Sequence, residues 1–209
     1  NAALRALTLV APKTTEVSWL SDMVALQYLN VSGKVSGIVE LARLPSLRVL
    51  SIPTDMPFPG LYGDDPALPA ITTLSVNSPS KPFGEFSAAI LSSISWLGLG
   101  GTRIASLEGL SAFSNVGSLY LGNMYALTEV GELAKMSQLT ELDVYACNKI
   151  TDLSSLGKLG RLRRLSLQVR RVPTLKSLLP GPRLETIRLG DQTHIEVLDT
   201  AVLLDFPSL

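Results

Sequence analysis

The sequence predicts an α/β solenoid: a curved right-handed coil with a parallel β-sheet on its concave face and 3₁₀ turns and short helices on its convex face. Three observations support this prediction. A Leu-x-x-Leu-x-Leu pattern recurs at a nearly constant interval, residues within each copy alternate between apolar and polar, and apolar residues between copies stand three apart. Such regularity indicates one short structural unit repeated along the chain.

The pattern opens nine times, with 21 to 24 residues between successive openings. An interval this regular favours stacked coils over a mixture of independent elements. We therefore expect a single repeat domain over residues 1–209 with about nine coils. The openings are Leu4, Leu26, Leu47, Ile71, Ile94, Val116, Leu139, Leu162 and Leu184.

Each opening is predicted to form a short strand. In LTELDV, which starts at Leu139, the apolar Leu142 and Val144 alternate with acidic residues, so one strand face is buried and the other is solvated. About twenty residues separate successive strands, which is more than a hairpin needs, so the strands should pair in parallel.

The segments between strands are predicted to form 3₁₀ turns. Their apolar residues are three apart, and residues i and i+3 eclipse in a 3₁₀ helix. The same spacing starts at Val35, Ile104 and Leu127, and one full example is Ile150, Leu153, Leu156, Leu159 and Leu162.

Residues 150–167, ITDLSSLGKLGRLRRLSL, resemble the short class of leucine-rich repeats found in bacterial internalins and in the regulatory subunit of a nuclear protein phosphatase. The resemblance covers almost the whole chain and implies a curved solenoid used for protein recognition. Repeats of this superfamily place Asn or Cys three residues after the strand, where the side chain bonds to the turn backbone, and Cys147 fits that position. Other coils depart from the pattern with Lys34, Asp55, Thr102, Met124, Arg170 and Gln192.

Two stretches also depart from the repeat. Residues 53–70 and 77–90 are predicted to be irregular loops, because prolines and glycines interrupt regular structure. The strand spacing continues through both, so no domain boundary is expected there. Neither end carries the polar cap that a solenoid needs, and we expect the chain to be a piece of a longer protein.

The composition of the chain excludes several classes of protein. The chain is 46% hydrophobic and has 18 basic and 18 acidic residues, which excludes intrinsic disorder and gives no overall attraction to nucleic acid or anionic lipid. No apolar run approaches the roughly 18 residues that span a bilayer. The single cysteine permits no intrachain disulfide and is compatible with an intracellular compartment.

Strand alternation also predicts which side chains face outward on the sheet. Aromatic residues and arginine dominate the energetics of protein interfaces, so their concentration on this face favours a protein-binding site. The alternative is a solvated face, on which Glu141 and Asp143 merely pair with arginines of neighbouring strands. The residues predicted to bind a protein partner are Tyr28, Trp96, Tyr120, Glu141, Asp143, Tyr145, Arg164 and Arg188.

A nucleic-acid partner is less favoured. Residues 158–188 contain nine basic residues and one acid, Glu185. The solenoid would divide these basic residues among the concave side, the turn edge and the convex side. A continuous basic stripe for phosphate contacts is therefore not expected, and an acidic protein partner fits better.

No catalytic, metal or cofactor site is predicted. A Cys147–His194 nucleophile pair would require two coils to meet, and Cys147 occupies a position where burial is expected. The acidic group Asp55, Asp64 and Asp65 could hold calcium, but a solvated loop accounts for it as well. Two function classes remain: a non-catalytic protein-recognition or scaffolding module with no small-molecule substrate, or the substrate-recognition region of an enzyme whose catalytic domain lies outside this segment.

Overall fold

Nine strands, one from each predicted opening, pair side by side in a parallel sheet. The computed structural model describes residues 3–53, 58–62, 68–77, 82–101, 103–179, 183–190, 193–197 and 200–206. The sheet order is β1 to β8 followed by β10, and β9 and β11 form a separate two-stranded sheet. The strands are β1 (Ala6–Glu16), β2 (Tyr28–Ser36), β3 (Val49–Ile52), β4 (Thr73–Asn77), β5 (Trp96–Gly100), β6 (Ser118–Gly122), β7 (Glu141–Tyr145), β8 (Arg164–Gln168), β9 (Arg171–Thr174), β10 (Thr186–Leu189) and β11 (His194–Val197).

Each strand of the large sheet begins two residues after a predicted opening, so equivalent residues of neighbouring coils stand side by side. Two rows of side chains result on the outer face of the sheet, which we call the concave face. The first row is Tyr28, Val49, Thr73, Trp96, Ser118, Glu141, Arg164 and Thr186. The second row is Asn30, Ser51, Ser75, Gly98, Tyr120, Asp143, Ser166 and Arg188.

The predicted alternation is confirmed. In β7, Leu142 and Val144 are buried in the core, whereas Glu141 and Asp143 are partly exposed. β3, β4, β7 and β8 thus bury one face and present the other to solvent, as their sequences require, whereas in β5 only Trp96 is exposed.

The first two strands are longer than predicted. β1 and β2 have 11 and 9 residues and stay paired as far as Glu16 and Ser36. Because β2 runs on, the apolar stripe of the second coil changes register. Val39 is fully buried, while Ile38, which the three-residue spacing had placed inside, is 57% exposed.

The return segments form 3₁₀ turns, as predicted. In the turn after β7, the Leu156 N–H donates to the Leu153 carbonyl at 2.9 Å, which is the i to i+3 bond of a 3₁₀ helix. Most consecutive turns contact one another, and together they build the side opposite the sheet. They span Ser18–Asp22, Leu41–Arg43, Pro59–Leu61, Phe83–Glu85, Leu110–Ala112, Gly131–Lys135, Ser154–Lys158, Leu175–Leu178 and Thr200–Asp205. Within the described ranges, no helix is long and apolar enough to cross a membrane.

The second atypical stretch is more regular than expected. It contains a 3₁₀ turn and the start of an α-helix, α1 (Ala88–Ser93), whose N-cap Ser87 accepts a hydrogen bond from the Ile90 N–H at 3.3 Å. Aromatic rings replace leucines in the core here. The Phe86 ring lies 4.7 Å from Tyr62 and 5.3 Å from Phe113, centroid to centroid.

The turn after β7 contains the side chain expected from repeats of this kind. Cys147 is fully buried, and its thiol donates to the carbonyl oxygens of Leu121 and Tyr145 at 3.6 and 3.4 Å. It therefore ties two successive coils together. Met124, at the equivalent position one coil earlier, is also buried but contributes packing alone.

Burial between coils predicts the cost of removing one leucine. Leu142 is 2% exposed and packs within the continuous core. We expect Leu142→Ala to lower the free energy of unfolding by about 2–5 kcal/mol, because it removes buried contacts and leaves a cavity. Urea denaturation followed by circular dichroism measures this change.

The matched control is Leu204→Ala, since Leu204 is 87% exposed. Its effect should stay within about 0.5 kcal/mol. Equal losses in both variants would contradict the burial of Leu142 between coils.

Candidate protein-binding face

Six of the eight predicted binding residues line one depression on the concave face. It has a volume of about 270 Å³ and is formed by strands β5 to β8 and β10. The six are Trp96, Tyr120, Glu141, Asp143, Arg164 and Arg188. Ser118, Ser166 and Thr186 complete its polar lining. The register of the sheet is what brings these residues together, since they come from five coils.

Trp96 forms one wall and lies over a glycine. A Cβ atom on Gly98 would stand 2.6 Å from Cη2 of the Trp96 indole, which places the ring directly over the strand backbone. Trp96 remains 37% exposed. Gly98 therefore allows the indole to lie along β5 with a large part of its surface open to a partner.

Tyr120 repeats this arrangement one strand further on. A Cβ on Gly122 would lie 2.5 Å from the Tyr120 hydroxyl oxygen, so this ring also lies over its own strand. Burial, and then the negative charge of Asp143, raises the pKa of Tyr120 above its ordinary value. The phenol is thus neutral at physiological pH and close enough to Asp143 to feel its charge.

The charged residues of the depression are only partly paired. Arg164 donates to the Glu141 carboxylate across β7 and β8, as the solvated-face alternative predicted. The corresponding pairing of Asp143 is not found: its Oδ1 is buried and has no hydrogen-bond partner among the described residues. Ser166 is the register partner of Asp143 on β8. Its hydroxyl oxygen is also buried and has no hydrogen-bond partner among the described residues.

The other two predicted residues lie outside this depression. Tyr145 lines a second, neighbouring depression, which has a volume of about 430 Å³ and lies at the ends of the strands. Gln168 and Arg170 line it as well. Tyr28 is on β2, three strands away from Trp96, and is 37% exposed. The structure therefore gathers most of the predicted residues on β5 to β8 and β10 and leaves Tyr28 apart.

Three basic residues of residues 158–188 are engaged at separate places. Arg163 pairs with Glu185 at 2.8 Å, and Arg171 pairs with Glu196 between β9 and β11. Arg161 donates to the amide oxygen of Gln138 at 2.6 Å. These cations are neutralised or engaged at separate places, which is unlike the continuous basic surface of nucleic-acid-binding proteins.

The residues considered for a nucleophile pair, Cys147 and His194, lie after β7 and on β11 respectively, and Cys147 is buried. Burial raises the pKa of the Cys147 thiol, so the reactive thiolate is disfavoured. His194 belongs to β11, where it pairs with Arg171 of β9. In the described part of the chain, no three His, Cys, Asp or Glu side chains are grouped to hold a metal. Asp55, Asp64 and Asp65, the calcium alternative, lie outside the described residues.

The architecture is shared with solved structures. An internalin F from Listeria monocytogenes matches with a TM-score of 0.52 and 20% identity, over 100% of this chain and 60% of the internalin. A leucine-rich repeat protein from Leptospira interrogans matches with a TM-score of 0.53 and 18% identity, over 99% of this chain and 47% of its own length. The chain has the leucine-rich repeat fold. Neither the family models nor the curated proteins provide a match.

Sequence reasoning missed three parts of this leucine-rich repeat surface. The sequence analysis assigns no role to Gly98 or Gly122, although each lies two residues after an outward aromatic. That spacing was a usable signal, because side chains i and i+2 share a strand face. Strand alternation places Ser166 on the outward face, but the sequence gives no sign that its hydroxyl is buried and unpaired.

The glycine under Trp96 yields a prediction. In a Trp19→Phe background, where Trp96 is the sole tryptophan, Gly98→Ala should force the indole off the strand and shift its fluorescence maximum to longer wavelength. Stability should change by less than about 1 kcal/mol, because the group that moves is a side-chain end.

Gly131→Ala is the control, because a Cβ there meets nothing within 4 Å. An unchanged Trp96 spectrum in Gly98→Ala would show that the ring does not lie on this glycine.

Proposed function

We propose that this solenoid is a non-catalytic protein-recognition module that binds a protein partner on its concave face. The observation that carries the proposal is the depression that joins Trp96, Tyr120 and Arg188 at the surface of a rigid sheet. Residues of these three types supply most of the binding energy in protein interfaces, above all when they cluster near the centre.

The size of the face supports the same conclusion. Nine strands at about 4.8 Å spacing span roughly 38 Å, and five residues of strand add about 17 Å in the other direction. The resulting area of roughly 650 Å² is close to the 800 Å² or so that one partner contributes to a standard interface. The internalin and the Leptospira protein share the fold alone, at 20% and 18% identity, and they extend beyond the region matched by this chain.

The double variant Trp96→Ala/Asp143→Ala tests the proposal. Proteins captured from a lysate of the source cells by the immobilised chain are quantified by mass spectrometry, and the dissociation constant of each candidate is then measured by calorimetry. We expect the variant to weaken the specific complex by at least tenfold, because it removes a central anchor and a charge.

Trp19→Ala/Asp22→Ala provides a matched control on the convex side. Trp19 is 41% exposed and, like Asp22, lies in the first 3₁₀ turn. A partner that binds both double variants as tightly as it binds the unaltered chain would refute the concave site.

A further inference from the structure

The depression contains two polar oxygen atoms that lack hydrogen-bond partners among the described residues. Asp143 Oδ1 is buried without a hydrogen bond among the described residues, and so is the Ser166 hydroxyl oxygen beside it. Burying a polar oxygen atom without a hydrogen-bond partner costs free energy, even where the rest of the side chain is partly exposed, as it is in Asp143. Both residues are in register on β7 and β8, so their backbones stand about 4.8 Å apart. Two adjacent acceptors therefore face the same cavity.

Neither arginine that lines the depression forms an ion pair with Asp143. Arg164 is engaged by Glu141. Arg188 lines the depression and forms no ion pair in the described ranges, but its register partner is Ser166, so β8 stands between it and Asp143. Among the described residues, Asp143 is thus the acidic side chain of the depression that forms no ion pair, whereas Glu141 is paired with Arg164.

Aromatic rings stand on the side opposite Arg188. Tyr120 is the register neighbour of Asp143 on β6, and Trp96 lies beyond it on β5. The ring faces of Trp and Tyr attract cations, and their apolar surface covers aliphatic chain. An aromatic wall next to a partly buried carboxylate suits a group that combines a hydrocarbon stem with a positive end.

We propose that this depression binds a single basic side chain, arginine or lysine, of the protein partner, with Asp143 and Ser166 accepting its N–H groups and Trp96 and Tyr120 covering its stem. The inference rests on the proposed function and specifies its central contact. The volume of about 270 Å³ lies just below the range of pockets for drug-sized ligands, which suits one side chain. Arg188 at the rim repels a second cation, so an isolated basic residue fits better than a polybasic segment.

The experiment uses Trp96 fluorescence in the Trp19→Phe protein, which keeps one tryptophan. The probes are N-acetylated, C-amidated Gly-Arg-Gly and Gly-Lys-Gly, with Gly-citrulline-Gly as the neutral isostere and Gly-Glu-Gly as the opposite charge. Small ligands of this kind should bind in the millimolar range. We expect saturable binding of at least one basic tripeptide and at least tenfold weaker binding of the other two.

Three substitutions complete the design. Asp143→Asn should weaken binding of the basic tripeptide at least tenfold, while the fluorescence spectrum of the unliganded protein should remain that of the folded state. Arg188→Ala should tighten binding of the basic tripeptide by about twofold, because a repelling charge is removed. Asp22→Asn, on the convex side, should leave the affinity unchanged.

Equal binding of the citrulline and arginine peptides, or an unchanged affinity in Asp143→Asn, would overturn the inference. Binding that appears only in Arg188→Ala would also overturn it, because Arg188 would then be the occupant. A protein partner that is lost in Trp96→Ala/Asp143→Ala while the basic tripeptides do not bind would overturn this inference and leave the proposed function standing.

Discussion

Each coil of this solenoid can remove its apolar side chains from water only by packing them against the equivalent side chains of the next coil. The central leucine of each of the seven inner strands, β2 to β8, shows this dependence, since every one is buried and paired in register with its neighbour. These residues are Leu29, Leu50, Leu74, Leu97, Leu119, Leu142 and Leu165. Stacking in this way imposes parallel pairing and covers one face of the sheet, so the opposite face is left open.

The same constraint builds the site. Residues 22 or 23 positions apart in the chain become neighbours about 4.8 Å apart on the sheet, without any loop to position them. Trp96, Tyr120 and Asp143 are held on adjacent strands in this way, and the glycines that follow the two aromatics let their rings lie flat. A rigid scaffold of this kind loses little entropy when it binds a partner, because its side chains are already placed.

The sequence predicts the fold well because one simple period governs it. The leucine spacing fixes strand positions, and alternation identifies the outward residues. What it cannot supply is contact detail. The Glu141–Arg164 pair follows from the register, whereas the isolation of Asp143 depends on how far Arg188 reaches across β8. The exposed Ile38 and the small β9–β11 sheet were missed for a related reason: both arise where the chain departs from the repeat.

Distances along one row of the sheet test the stacking most directly. After Cys147→Ala, nitroxide pairs are placed at positions 73 and 164, 28 and 164, and 28 and 186, and their separations are measured by double electron–electron resonance. Parallel stacking predicts backbone separations that rise with the number of intervening strands, to about 19, 29 and 34 Å before any shortening by curvature. A separation below about 20 Å between positions 28 and 186, or an order that does not follow the strands, would contradict coil-on-coil stacking.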